Sequence, residues 1–125
     1  VIWGSGEQER DFTYVSDIVD GTIMAAEKID DGTPINLGTG KRYKIRDVAE
    51  KIFEIMGWRP KRIVYDTSKP IGVLSRALDI SKAKRLLGWE PKVSLEEGLR
   101  RTIKWYVSTH KPRGFVDERL LMERV

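Results

Sequence analysis

Apolar residues recur at helical spacing in three long stretches of the chain. One stretch contains Val19, Ile23 and Ala26, a second runs through residues 45–56, and a third follows Ser94. Spacings of three and four residues place such side chains on one face of a helix. The pattern predicts helices over about 16–28, 45–56 and 95–109, and a shorter helix that starts at Ser81 and stops at Gly88.

Small polar residues and glycines mark the ends of these helices. Ser16 is the predicted N-cap of the first helix, and Ser94 with Glu97 forms the pattern of a capping box for the last. The middle helix has Lys44 where Ser or Thr is the usual cap, and we expect it to end at Gly57.

Short apolar or alternating runs between the helices predict strands. The predicted strands cover residues 1–3, 11–15, 34–37 and 62–65, and residues 77–80 form a brief extended stretch. Strands and helices therefore alternate along the chain. This order indicates a small α/β fold of short mixed strands packed with helices.

Composition narrows the class of protein. The 125 residues, 40% of them apolar, suit one globular domain, and no run approaches the ~18 apolar residues of a membrane span. The chain has no Cys, which excludes disulfide scaffolds, Cys-based zinc sites and a Cys nucleophile, and its single His is His110. Without a secretory signal pattern, we expect a cytoplasmic protein.

Charge is unevenly distributed along the chain. Residues 1–40 have a net charge of −6, whereas residues 41–125 have +10. A basic half attracts anions, so nucleic acid, acidic lipid and phosphorylated small molecules are all candidate partners. The basic residues are interleaved with acidic ones and form no known nucleic-acid motif, yet a nucleic-acid-binding or non-catalytic interaction module remains an alternative.

Two motifs have misleading similarity to dinucleotide-enzyme signatures. Gly38-Thr39-Gly40 begins like a dinucleotide fingerprint, but Tyr43 stands where the last glycine is required, so we interpret these glycines as turn residues. Tyr65 and Lys69 have the spacing of a proton-transfer pair, which requires one face of a helix. Pro70 disfavours helical geometry at Lys69, so we do not assign them that role.

Two basic positions are better candidates for binding an anion. Arg10 lies at a predicted junction between loop and strand, near Trp3 and the start of a helix. Arg suits bidentate recognition of phosphate, although Arg10 can also pair with neighbouring acids. Lys69 and Arg76 flank a loop that contains Pro70, and two cations on such a loop suit a pyrophosphate.

Six motifs in order resemble a known family. They are V-I-W-G-S-G (1–6), R-D-F-T-Y-V-S-D (10–17), I-N-L-G-T-G (35–40), D-T-S-K-P (66–70), R-A-L-D-I-S-K-A-K-R-L-L-G-W-E-P-K (76–92) and S-L-E-E-G-L-R-R-T-I-K-W-Y (94–106). Together they resemble the C-terminal part of the extended short-chain dehydrogenase/reductase family, the NAD-dependent sugar-nucleotide epimerases and dehydratases. The W-G-S-G and D-T-S-K-P motifs are most similar to its GDP-L-fucose synthase group, with UDP-sugar 4-epimerases and 4,6-dehydratases as the alternative.

The resemblance implies functions for four residues. Trp3 would line the substrate pocket, Arg10 and Lys69 would contact the nucleotide diphosphate, and Arg76 would be a weaker candidate beside them. In that family an N-terminal Rossmann lobe binds NAD or NADP and contains the catalytic residues. No catalytic, cofactor-binding or metal-binding residue is therefore assigned to this chain.

The resemblance also implies an incomplete enzyme. The chain begins with Val1 inside a predicted strand, and we expect it to be the C-terminal part of a longer protein. Residues 1–109 would form the sugar-nucleotide-binding lobe and residues 110–125 a tail, in which Leu120–Met122 suggests one more helical turn. Its partners would be the nucleotide-sugar substrate and the Rossmann lobe of the parent chain, with a homo-oligomer as a further expectation and no nucleic acid or membrane. By itself the piece would be inactive.

Overall fold

The computed structural model describes residues 1–110. Within them, four short strands, three α-helices and one π-helical turn are joined by loops. In chain order the elements are β1 (Ile2–Trp3), β2 (Glu9–Arg10), α1 (Val15–Lys28), β3 (Tyr43–Lys44), α2 (Ile45–Met56), β4 (Tyr65–Asp66), a π-helical turn (Ala83–Leu87) and α3 (Leu95–His110). The predicted α/β fold with mixed strands is confirmed.

The strands pair in two short ladders. β1 and β4 are parallel, with Ile2 opposite Tyr65 and Trp3 opposite Asp66. β2 and β3 are antiparallel, with Arg10 opposite Tyr43. The N-terminal ten residues therefore contact two distant parts of the chain.

Apolar side chains of the described residues collect in two clusters. One cluster lies between α2 and α3 and contains Ile55, Ile103 and Val107. The other lies between α1 and the π-helical turn, where Leu87 and Trp89 are almost completely buried. On α2 and α3 the predicted apolar positions, Ile55 and Ile103 among them, lie in the first cluster. At α1, however, Met24, Ala25 and Ile29 pack on the second cluster, whereas the apolar face predicted from Val19, Ile23 and Ala26 is exposed.

Hydrogen bonds of the buried residue Asp17 connect α1 to the segment before α3. Its side chain is 3% exposed, and its carboxylate accepts hydrogen bonds from the main-chain N–H groups of Lys92 and Val93. The indole of Trp89 donates to the main-chain carbonyl of Asp17 at 3.0 Å. The two main-chain partners of Asp17 lie 75 and 76 residues away, a pairing that no local pattern of the sequence indicates.

The C-terminal ends of the helices agree with the sequence predictions better than the N-terminal ends do. Gly57 and Gly88 adopt left-handed geometry after α2 and the π-helical turn, as predicted. Lys44 makes no side-chain cap bond at the start of α2. The prediction of Ser16 as an N-cap is wrong, because α1 begins at Val15 with Tyr14 in the cap position.

The capping box before α3 is half formed. The N–H of Glu97 donates to the Ser94 hydroxyl at 3.2 Å, which is the expected cap bond. The carboxylate of Glu97, however, pairs with Arg101 at 2.6 Å. An i,i+4 partner of opposite charge therefore holds the side chain that a complete box would direct back to Ser94.

Three of the predicted strands differ from the structure. Residues 11–15 form no strand, since β2 ends at Arg10 and α1 begins at Val15, and of the strand predicted over 62–65 only Tyr65 belongs to β4. Residues 34–37 keep the predicted alternation, with Ile35 and Leu37 packed on the Trp89 cluster. A β-ladder needs a neighbouring strand with main-chain hydrogen bonds, and residues 34–37 have none among the described residues.

Residues 1–110 contain neither a membrane-spanning helix nor a cluster of metal-ligating side chains. None of the helices there is long and apolar enough to cross a membrane. No group of three or more His, Cys, Asp or Glu side chains in the same range has the arrangement of a metal site. The predicted turn at Leu120–Met122 lies outside the described residues.

Candidate functional site

The loop of residues 66–76, called here the site loop, lies along the N-terminal segment of residues 1–10. Four main-chain hydrogen bonds of 2.8–3.2 Å hold this part of the chain: Ile2 N–H to Val64, Gly4 N–H to Asp66, Glu9 N–H to Leu74 and Arg76 N–H to Glu9. The Ser75 hydroxyl also donates to the Glu9 carboxylate at 2.7 Å. Segments more than 60 residues apart in sequence thus form one surface.

Arg10 is the central side chain of this surface. Its guanidinium donates to the main-chain carbonyls of Glu9 and Val73 through Nη1, at 2.7 and 2.8 Å, and to that of Ile71 through Nη2 at 2.5 Å. A guanidinium has five N–H donors. Two of these donors fix the site loop through Val73 and Ile71, a third bonds to the neighbouring Glu9, and the other two make no hydrogen bond within residues 1–110.

Lys69 stands at the start of the site loop, two residues before Ile71. A tight turn places it there: Asp66 accepts from the N–H and hydroxyl of Ser68 through its carboxylate, and from the N–H of Lys69 through its carbonyl. The Lys69 side chain is exposed. Its position follows from the turn rather than from a contact of its own charge.

Trp3 and Arg76 complete the set of predicted site residues. Trp3 pairs with Asp66 in the β1–β4 ladder, and its side chain is 56% exposed. Arg76 is exposed at the far end of the site loop, where its N–H is bonded to Glu9. All four predicted residues therefore lie on the N-terminal segment or the site loop that is bonded to it.

Gln8 and Gly4 support Trp3 and were not predicted. Gln8 is 6% exposed, and its Nε2 donates to the carbonyl of Trp3 at 2.6 Å. Gly4 has φ +78° and packs against Ile71, leaving no room for a Cβ. The glycine pair around Ser5 was the available signal, since such pairs accompany close backbone approach.

Nearby charges are largely paired within the protein. Glu7 binds Lys44 at 2.8 Å and also contacts Arg46. The hydrogen bond from Lys44, with the charge of Arg46, keeps the pKa of Glu7 below its usual value. Arg10 and Lys69 have no such carboxylate partner within residues 1–110, and neither does Arg76.

The Gly38–Gly40 loop does not suit a phosphate. The N–H groups of Thr39 and Gly40 both donate to the carboxylate of Asp11 at 2.9 Å, as does the Thr39 hydroxyl. These amides are the groups that a dinucleotide loop offers to a pyrophosphate. A cofactor therefore does not fit here, which agrees with the interpretation of these glycines as turn residues.

Asp11 is a structural anchor rather than an acid or base. Leu78 supplies a further N–H to its carboxylate, so residues 11, 39–40 and 78 are joined at one point. Burial raises the pKa of Asp11, but the hydrogen bonds from Thr39, Leu78 and Gly40 outweigh that effect and lower it below its usual value. Asp11 stays ionised at neutral pH.

Tyr65 and Lys69 are separated by a turn. Tyr65 lies in β4, and the N–H of Lys69 closes the turn on Asp66. The structure therefore confirms that this pair does not share a helix face.

Comparison with known proteins gives a consistent result. A sequence profile of the GDP-mannose 4,6-dehydratase family matches residues 1–102. A probable GDP-L-fucose synthase from Oryza sativa is 39% identical over 107 residues, which cover 86% of this chain and 32% of that protein. A UDP-glucuronate 4-epimerase from Thermodesulfobacterium geofontis is 44% identical over 105 residues, covering 83% of this chain and 32% of that protein.

Solved structures show the same similarity. A UDP-glucose 4-epimerase from Thermotoga maritima, crystallised with UDP-glucose, has a TM-score of 0.80 and 41% identity, covering 87% of this chain and 35% of that one. A dTDP-glucose 4,6-dehydratase from Bacillus anthracis, in complex with NAD, has a TM-score of 0.80 and 28% identity, covering 88% and 35%.

The chain spans about a third of the length of the relatives it matches. The family profile covers most of the chain, and the relatives include epimerases, dehydratases and a probable synthase that act on sugar nucleotides by name. The chain therefore belongs to the GDP-mannose 4,6-dehydratase family, within the extended short-chain dehydrogenase/reductases.

Proposed function

We propose that this chain is the substrate-binding part of an NAD(P)-dependent enzyme that epimerises, dehydrates or reduces a sugar nucleotide. The surface of the N-terminal segment and the site loop would bind the nucleoside diphosphate. The observation that carries the proposal is the attachment of Arg10 to Ile71 and Val73, because it joins both cationic elements in one unit.

The charges of this unit suit a diphosphate. The N–H groups of Arg10 that its main-chain bonds do not use would donate to the diphosphate, and the ammonium of Lys69 would supply a second cation from the site loop. A hydrogen bond to a charged group contributes roughly 1.5–3 kcal/mol. Trp3, held through its carbonyl by Gln8, offers an exposed ring to the base or sugar beside the diphosphate.

The redox chemistry would belong to the rest of the parent protein. NAD(P), when bound there, takes up and returns a hydride at the sugar. No group in residues 1–110 is assigned to that step, since the Gly38–Gly40 amides are bonded to Asp11. The residues of this chain orient the substrate, and the chain alone would not turn it over.

The identity of the nucleotide distinguishes two candidate substrates. The W-G-S-G and D-T-S-K-P motifs favour a GDP-sugar, as in the GDP-L-fucose synthases. The 44% identity to a UDP-glucuronate 4-epimerase favours a UDP-sugar, so this nucleotide is the second candidate.

Calorimetry on the full-length parent enzyme tests both the diphosphate-binding site and the identity of the nucleotide. GDP and UDP would each be titrated into the wild type, Arg10→Ala, Lys69→Ala and the control Arg85→Ala, which changes an exposed Arg on the π-helical turn. We expect the first two variants to weaken the preferred nucleotide about tenfold or more, equivalent to about 1.4 kcal/mol, and the control to leave binding unchanged. Unchanged affinity in both site variants contradicts the proposal.

A further inference from the structure

An apolar groove lies between α2 and α3. It has a volume of about 450 Å³. Ile52, Met56 and Trp58 form one wall, and Ile103, Trp105 and Tyr106 form the other. Trp105 is 60% exposed and Tyr106 about half exposed, which is unusual for two adjacent large aromatic residues.

The lining of the groove does not suit a small polar ligand. Such sites combine apolar walls with a few polar groups that fix the ligand's orientation. The Thr102 hydroxyl, which also lines the groove, donates to the carbonyl of Gly98 within α3. A groove of this kind suits the apolar side chains of a polypeptide.

The chain itself continues from the edge of this groove. Tyr106 and Val107 line it, and they lie within one turn of His110, the last residue of α3. The following sequence, residues 111–125, contains Pro112 and a set of apolar residues: Phe115, Val116, Leu120, Leu121, Met122 and Val125.

We propose that the segment of residues 115–122 covers the groove between α2 and α3 of its own chain. Val116 follows His110 by six positions in sequence, which allows a reach of up to about 20 Å. Covalent attachment gives such a segment an effective concentration of the order of millimolar. A second copy of the chain at micromolar concentration would compete poorly for the same groove.

Cysteine cross-linking tests this proposal directly, because the chain contains no Cys of its own. Met56→Cys in the groove would be combined in turn with cysteines at Val116, Leu120 and Leu121. The matched control combines the same three positions with Glu27→Cys on α1, beside the other apolar cluster. Mild oxidation of dilute protein is followed by mass spectrometry and non-reducing electrophoresis.

We expect at least one Met56 pair to form an intrachain disulfide many times faster than any Glu27 pair. Equal rates for the two series would overturn the proposal. Cross-links mainly between chains would also overturn it, since they would assign the groove to a second copy.

Hydrogen exchange gives an independent readout that needs no cysteine. The double substitution Leu120→Asp with Leu121→Asp removes the apolar side chains, and Asp117→Asn with Glu118→Gln changes polar residues of the same segment as a control. We expect the first pair to speed amide exchange several-fold in the last turns of α2 and α3, with no change in the control. No change in either variant contradicts the proposal, and neither result depends on nucleotide binding.

Discussion

Gly4 lies directly against the side chain of Ile71, so closely that a methyl group on Gly4 would overlap Ile71 Cγ2. This contact joins the turn after β1 to the middle of the site loop. Gly88 has a similar left-handed φ of +68°, but a methyl group there would meet open space. Substitutions at these two glycines therefore allow the cost of backbone strain to be measured separately from the cost of steric overlap.

Gly4→Ala is expected to destabilise the chain more than Gly88→Ala. Left-handed geometry costs Gly88→Ala about 1–2 kcal/mol, and overlap with Ile71 adds about 1–3 kcal/mol at Gly4. Urea unfolding of the two variants measures the difference. Adding Ile71→Ala to Gly4→Ala should recover part of the loss, and equal losses for both glycines would argue against the close contact.

Asp17→Ala is expected to lower the free energy of unfolding by about 1–3 kcal/mol. The substitution leaves the N–H groups of Lys92 and Val93 without their carboxylate partner. Asp20→Ala removes a charge from the exposed side of the same helix and provides the control. Chemical unfolding compares the two, and similar losses would mean that helix-end charge, not the buried contact, gives Asp17 its effect.

Asp11 should make stability depend on pH in the acid range. Its pKa is lower in the folded chain than in the unfolded chain, so its stabilisation is complete above the unfolded pKa, near pH 4, and is lost as pH falls through the folded pKa. Asp11→Asn should be less stable than wild type at pH 7, with the two approaching each other at pH 2–3. Urea unfolding at a series of pH values tests this, and parallel curves would contradict it.

The exposed stripe of α1 should promote self-association of the isolated chain. Val15, Val19 and Ile23 are spaced by four residues, and each is about half exposed or more. Val19→Lys should shift the chain toward monomer in sedimentation velocity, whereas Thr22→Lys adds the same charge without removing an apolar side chain. An unchanged distribution in Val19→Lys would show that this stripe is not the contact surface.

Helices were predictable because their signals are local. The periodicity over residues 45–56 and the glycines at 57 and 88 act within a few residues of the structure they specify. Strands depend on distant partners, so a run such as 34–37 can have the right alternation and still lack a ladder among the described residues. The same limit applies to Asp17, whose partners Lys92 and Val93 are far away in sequence.

The same limit applies to the candidate site: its residues could be predicted from the sequence, but the contacts that support them could not. Residue types and motif resemblance led to Trp3, Arg10, Lys69 and Arg76, and all four lie on the N-terminal segment or the site loop. Their roles in binding stay a prediction. The bond from Gln8 to the carbonyl of Trp3 depends on how the turn between them folds back on itself. The contact of Gly4 with Ile71 depends on a loop more than 60 residues away, so local sequence patterns predict neither.

The separation of the apolar side chains into two clusters has a thermodynamic consequence. The Trp89 cluster and the α2–α3 cluster have no residue in common. Contacts outside both clusters, among them the bonds of Lys92 and Val93 to Asp17 and the packing of Tyr14 on Gly98, join α1 to α3 and the segment before it. Loss of such contacts should reduce the cooperativity of melting, so that heating Asp17→Ala gives a broader thermal transition than heating the wild type.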